Sequence, residues 1–463
     1  AGKVQIIAPE GFMHHAISEN LIAGPAMTRR SAYQFGTQVP PGPEGRAGIG
    51  IGPSLSEGPM TLIAPTTTIT ETGQTLVIDG LTFVFQATPG AEAPAEMNFY
   101  LPELNALCLA ENANPTMHNV LPGRGALVRD SKAWADYLTE SQRLYGADAE
   151  VVFTSHGWPR WGNAELNDYI GFHRDAYKYL HDQSVRLMNM GLTGPEIAEV
   201  IELPEPLATK WYNRGYYGTM SHNAKAVYQR YLGWYDANPA NLNALPPEEA
   251  APRYVKAMGG PEAAVTIART AFDEGDYRWA AEVASRVVFA DDTNADARAV
   301  LADSLEQMGY QAEGMLWRNM YLAGAAETRD GALVRAAATT RIDVVSAIAT
   351  PDLFDMLAVR VNPDAAAGKD VSVAFEFPDR NERVLVRLRN SVLFHEEGVD
   401  DAADATVTLP RQAFLGMLMA GVSPQSLREK GVLTVSGDDA AMAALLTSLD
   451  ASADAPPFPI VTP

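Results

Sequence analysis

The sequence predicts an α/β chain in three parts: a mixed α/β region, an all-α region and a small closing α/β region. Three observations predict it. In Thr75 to Ala87, TLVIDGLTFVFQA, β-branched and aromatic residues flank an Asp-Gly pair, the pattern of a hairpin. From Leu166 to Met190, apolar residues recur at helical spacing (Ile170, Tyr177, Leu180, Val185, Met188), with no proline until Pro195. Beyond about Arg341, strand-type alternation returns in VSVAFEF (371–377) and ERVLVRLR (382–389).

The elements follow in order. Residues 1 to about 40 hold a helical pattern, HHAISENLIAGPAMTRRSAYQFG, with Asn20, Met27, Arg29, Arg30 and Tyr33. It reads either as the border of a site or as an amphipathic surface helix with two solvated arginines. Residues 38–60 are rich in Pro and Gly and read as a long loop, a candidate lid or substrate wall. After the hairpin, Phe99 to Ala110 and Val151 to Ser155 read as strands.

Thr193 with Glu196 forms a capping-box pattern opening a helix, with Pro195 in its first turn. Helices are expected at 206–212, 221–235 and 248–258. The aromatic-rich segment SHNAKAVYQRYLGWYDANP reads either as a self-association surface or as an ordinary helix with a buried aromatic stripe. The small-residue spacing in 261–325 (Ala271, Gly275, Ala280, Ala295, Leu301, Gly309) is that of a single tetratricopeptide-like unit. The closing region adds helices over 341–360, a strand near 405–409, a helix at 411–420 and a last strand and helix within 431–446.

The chemistry concentrates between Glu92 and His156. Glu111 and His156 stand where strands end and loops begin, the usual place for function on an α/β scaffold. Carboxylate and imidazole on rigid elements suit a metal with an open coordination position. Taken singly, a strand-end Glu is usually solvated, a lone His usually packed, and Arg124 a loop cap or a partner of Asp130.

Taken together, PAEMN (94–98), Ala-Glu-Asn (110–112), His-Asn…Arg-Gly…Arg-Asp (118–130) and SHGWPRWGN (155–163) stand in one order. That order resembles the alkylsulfatase branch of the metallo-β-lactamase superfamily, whose members hydrolyse dodecyl sulfate and similar detergents. The resemblance implies the C-terminal part of a metallo-β-lactamase αβ/βα sandwich over residues 1–163. A helical dimerisation domain at 164–335 and a sterol-carrier-like domain at 341–455 would follow. It implies two zinc ions per subunit of the complete protein, with Glu111 shared between them, Glu92 on one and His156 on the other. Asn119, Arg124 and Arg129 match the residues that hold the sulfate. No catalytic side chain is assigned beyond the water that the metals activate. The resemblance also implies a homodimer and favours a periplasmic or secreted location.

Two departures stand out. The family's His-x-His-x-Asp-His motif is absent among the eight histidines, and the chain opens in a stretch that follows that motif in the family. An N-terminally truncated form of a longer protein is therefore expected. Gly157 stands where the family commonly has another histidine, a possible proton donor or substrate contact.

Composition narrows the classes. With 47% hydrophobic and 20% charged residues, the chain reads as soluble and globular, without an apolar run near the roughly 18 residues of a membrane span. The net charge of −22 argues against nucleic acid and anionic membranes, and makes any sulfate site depend on locally placed arginines and metal. Cys108, the single cysteine, sits in an apolar strand and reads as an inert core thiol. The expected function is zinc-dependent release of sulfate from linear alkyl sulfates such as dodecyl sulfate. The alternatives are a related lactone or phosphodiester hydrolase, or a non-catalytic lipid-binding dimer.

Overall fold

The computed structural model describes residues 4–56, 61–332, 342–399, 402–450 and 458–463. Strand β1 (Ile7–Pro9) pairs in parallel with β2 (Thr67–Ile69), and between them lie helices α1 (Phe12–Ile17) and α2 (Gly24–Gln34). Strands β3 (Thr75–Ile78) and β4 (Leu81–Ala87) form the expected hairpin. Ile78 faces Leu81 across a two-residue turn with positive φ at both Asp79 and Gly80, the geometry that matches strand twist.

The stretch from Phe99 to Ala110 is two strands rather than one. Pro102 opens a 3₁₀ turn, Asn105 takes a left-handed conformation, and the chain folds back as β5 (Met97–Leu101) against β6 (Ala106–Cys108). Strand β7 (Val151–Phe153) lies parallel to β6, and β8 (Arg160–Trp161) closes a six-stranded sheet in sequence order.

The parallel β6–β7 step requires a crossover, and α3 (Ser131–Tyr145) supplies its helix. Asp130 caps α3 by accepting from the backbones of Lys132 and Ala133. With α4 (Asn163–Asn189), α3 covers the sheet through Trp134, Leu138, Leu166, Ile170 and Tyr177, all buried. Each such side chain contributes about 1.5–3 kcal/mol by leaving water.

The helical region continues through α5 (Gly194–Val200), α6 (Glu205–Ala208), α7 (Met220–Leu232) and α8 (Pro247–Ala257). The Thr193–Glu196 capping box is present. The helix expected at 206–212 is shorter, because α6 stops at Ala208 and only a 3₁₀ turn follows at Trp211–Asn213. Helices α9 (Pro261–Asp273), α10 (Tyr277–Ala290), α11 (Ala295–Gln311) and α12 (Met315–Asp330) pack in succession, and fully buried Ala264, Ala268, Ala284 and Ala297 give α9–α11 close approach. Among the described residues no helix is long and apolar enough to cross a membrane.

The closing region holds α13 (Ile342–Ala347), α14 (Thr350–Ala358) and α15 (Pro363–Ala366), then a five-stranded sheet. Strands β9 (Asp370–Phe377), β10 (Glu382–Arg389) and β11 (Val392–Glu397) form an antiparallel meander. Strand β12 (Ala405–Thr408) returns parallel to β9, and β13 (Thr434–Gly437) follows at the edge. Strand β11 was not expected. Helix α16 (Arg411–Ala420) covers the predicted residues, and α17 (Pro424–Glu429) and α18 (Asp439–Leu446) complete the region. Its core is filled by Phe354, Phe375, Phe377 and Phe414, together with Ile17 and Leu21 from the N-terminal segment.

Arg29 is not solvated. It is buried in an ion pair with Glu327 of α12 and donates to the carbonyl of Phe458 (2.8 Å). Glu327 in turn accepts from the backbone of Ile460 (2.6 Å) and Val461 (3.2 Å), so the last described residues are strapped across α2 and α12. Arg30 is exposed and donates to the carbonyl of Gly123 (2.8 Å).

Candidate metal and anion site

Three connections at the ends of the sheet strands build the site. The β4–β5 connection folds on itself, Thr88 N–H to Glu96 carbonyl (3.0 Å) and Gly90 N–H to Ala93 carbonyl (2.9 Å), which presents Glu92 in a buried position. Beyond β6, Ala110 adopts a positive φ of 45° and its carbonyl accepts from Ser155 (2.8 Å). That bend, uncommon for a non-glycine residue, turns Glu111 out of the sheet beside the β7 loop that carries His156. Buried Asn112 ties the Glu111 loop to β5 and the β4–β5 connection by donating to Asn98 (3.0 Å) and Thr88 (3.3 Å), while its carbonyl accepts from Trp134 (2.8 Å).

The side chains converge. His156 Nε2 lies 2.8 Å from Glu111 Oε1. His118 Nε2 lies 3.5 Å from Glu92 Oε1 and 3.7 Å from Glu111 Oε1. Arg129 pairs with Glu92 through Nη2, and its Nη1 donates to the Asn119 side chain (2.6 Å) and carbonyl (2.7 Å). Glu92, Glu111, His156, Asn119 and Arg129 therefore stand together. Arg124 is held from α2. Its N–H donates to Gln34 Oε1 (2.7 Å), and its guanidinium touches the carbonyl of Gly125 (3.0 Å) and the Met27 sulfur (3.6 Å).

The sequence reading missed two members. His118 was visible only as the neighbour of Asn119, yet its ligand atom and those of Glu92 and Glu111 all lie within 4.8 Å of one another. Glu96, in the PAEMN segment, is buried and braces both carboxylates from behind. One oxygen accepts the Glu92 N–H (3.1 Å), the other the Glu111 N–H (3.4 Å).

Burial alone would raise the Glu111 carboxyl, but hydrogen bonds and charge from His118 and His156 outweigh it and hold the group well below the ordinary range. Glu96 is pushed the other way, by burial first and then by the negative charge of Glu92. Carboxylate oxygens and imidazole nitrogens at this spacing form a donor set that could hold a metal ion. Asn119 Nδ2 is buried and faces Tyr217 without a hydrogen bond of good geometry.

Gly157 adopts φ 84°, and a Cβ there would lie 2.5 Å from Pro115 Cγ. This backbone leaves no room for a side chain at the position where the resemblance implied a histidine.

Metal-type ligands beside an arginine and a buried amide are a donor set that suits a hydrolase of an anionic ester. The comparisons agree with that class. The alkyl sulfatase dimerisation family matches residues 193–331, and the alkyl sulfatase C-terminal family matches 338–463. A linear primary-alkylsulfatase from Pseudomonas sp. is 44% identical over 452 residues, covering 97% of this chain and 67% of that protein. An (R)-specific secondary-alkylsulfatase, also from Pseudomonas sp., is 44% identical over 467 residues, covering 100% of this chain and 70% of that protein. The solved structure of the stereoselective inverting sec-alkylsulfatase Pisa1 from Pseudomonas sp. superimposes with a TM-score of 0.96 at 42% identity, covering 100% of this chain and 73% of that one. The chain belongs to the alkylsulfatase family, a family of sulfuric ester hydrolases.

Proposed function

We propose that the protein is a zinc-dependent hydrolase of linear alkyl sulfates such as dodecyl sulfate, working as a homodimer. The observation that carries this reading is the meeting of Arg129 and Asn119 with the Glu92, Glu111 and His156 cluster in a chain of net charge −22. Such a chain repels an anionic substrate at long range, so recognition has to come from local charge.

Glu92, Glu111 and His156 would hold zinc, and His118 is placed to join them. Zinc held there supplies Lewis acidity and the activation of water near neutral pH. The remaining work belongs to the chain. The guanidinium of Arg129 offers a planar fork of donors to sulfate oxygens. The Nδ2–H of Asn119 adds a neutral donor. Both meet the negative charge that grows on the departing sulfate. Arg124, between them in the same loop, adds a second cation to the approach.

The exposed aromatics Tyr231, Trp234 and Tyr254 of the region matched as a dimerisation family support self-association. Stripping metal with a chelator and then adding back zinc tests the reading: sulfate release from dodecyl sulfate should be lost and then restored. Turnover that survives complete removal of metal would contradict it.

A further inference from the structure

Helix α7 lies against the loop that carries the anion-binding residues, and its polar side chains meet that loop at both ends. Asn223 is fully buried. Its Oδ1 accepts the Val120 N–H (2.8 Å), and its Nδ2 donates to the His118 carbonyl (2.9 Å). Those two peptide groups stand on either side of Asn119, so the amide copies the pairing of a neighbouring strand.

The adjacent His222 contacts the Leu121 carbonyl through Nε2 (2.5 Å), while its Nδ1 accepts from Trp317 Nε1 (3.1 Å). At the other end, Arg230 donates to the Val128 carbonyl (2.7 Å) and pairs with Asp130 (2.8 Å). Gly218, just before α7, donates to the Met117 carbonyl (2.8 Å), and a Cβ there would come within 2.3 Å of the His118 carbonyl. Val120 is buried in the core formed by α4, α5 and α7, beside Leu180, Ile197 and Val227. The anion loop is therefore seated on the helical region rather than on the catalytic sheet alone.

We propose that Asn223 is a positioning residue for sulfate recognition: by gripping the peptides before and after Asn119, it fixes where Asn119 and its partner Arg129 present their donors. This rests on the reading of Asn119 and Arg129 as sulfate-binding residues. The chemistry requires such a grip. Asn119 has to accept from Arg129 at Oδ1 and keep Nδ2 aimed at the substrate, and a rotation of its peptide breaks one of the two. Misplacing a binding group by about 1 Å costs on the order of a hundredfold in rate. A merely structural Asn223 would lower stability and leave the anion affinity of the folded protein unchanged.

The test uses inorganic sulfate as the probe, measured as a competitive inhibitor of alkyl sulfate hydrolysis by the metal-loaded protein. Asn223→Ala, Asn223→Asp and Arg129→Ala are compared, with metal content and melting temperature recorded for each. Asn223→Asp keeps an acceptor for Val120 but turns a second oxygen toward the His118 carbonyl, and it carries the test should the alanine variant not fold. Both Asn223 variants should raise the sulfate inhibition constant and the KM by about tenfold or more, with metal content unchanged. Inhibition constants within twofold of the unmodified protein, while Arg129→Ala raises its own, would overturn the proposal and leave the sulfate reading standing. An Arg129→Ala protein that binds sulfate as before would remove both.

Discussion

His156 Nε2 lies 2.8 Å from Glu111 Oε1, although the two residues reach the site from different strands, β6 and β7. Their pairing depends on the parallel registration of those strands, Ala106 with Val151 through Cys108 with Phe153. Glu111 also faces His118 and so stands between two imidazoles. Replacing Glu111 with Ala should therefore abolish zinc binding and turnover together, whereas losing either alone would show that the metal and the chemistry sit apart. Metal analysis alongside activity checks this.

The Arg29–Glu327 pair gives a second prediction. Both groups are buried, and Glu327 also accepts the two backbone N–H groups of the closing strap. Glu327→Ala leaves a buried guanidinium unpaired and should cost about 3–5 kcal/mol, read by chemical denaturation. Replacing both residues with apolar side chains should cost less than Glu327→Ala alone.

Gly157 gives a third. Its φ of 84°, and the mere 2.5 Å that would separate a Cβ there from Pro115, predict that Gly157→His destabilises the protein. The left-handed conformation alone costs roughly 1–2 kcal/mol, and the clash adds to it. Because the neighbour is His156, zinc affinity should fall as well. A stable variant with unchanged affinity would show that the backbone adjusts freely.

His222 makes stability depend on pH. Burial pushes its imidazole below the ordinary range, and the Leu121 and Trp317 bonds suit a neutral ring with its proton on Nε2. Above about pH 6.5 the ring is neutral in both folded and unfolded chains, and no penalty applies. Below it the unfolded chain takes up the proton first. Stability should then fall by up to about 1.4 kcal/mol per pH unit until the folded pKa is reached. Denaturation curves from pH 7.5 to 5 should be flatter for His222→Gln, and an equal slope would assign the loss to other groups.

Legibility followed the range of the interactions. The Asp79-Gly80 hairpin, the Thr193–Glu196 capping box and the helix at 411–420 are set by neighbours in sequence and could be read directly. A turn was expected after 389, but strand β11 was hidden because Asn390 and Ser391 make that turn at positive φ without a glycine to mark a tight hairpin. Pro102 and Asn105 broke an apolar run that looked continuous. Neither reading of Arg29, at the border of a site or solvated, foresaw its burial, because its partner lies 298 residues away. In the site, ordered motifs pointed to Glu92, Glu111, Asn119, Arg124, Arg129 and His156; Arg124 instead bonds Gln34, Gly125 and Met27. His118 and Glu96 belong to it only because separate loops converge, and no local pattern encodes that.

The most direct measurement is dodecyl sulfate hydrolysis by the metal-loaded Arg129→Ala protein, with zinc per chain determined on the same sample and Arg124→Ala run beside it. Turnover should fall by roughly a hundredfold or more in each, the scale of losing one charge-stabilising donor, while zinc content stays unchanged. Turnover within a few-fold of the unmodified protein, at equal zinc content, would contradict the assignment of these arginines to the sulfate.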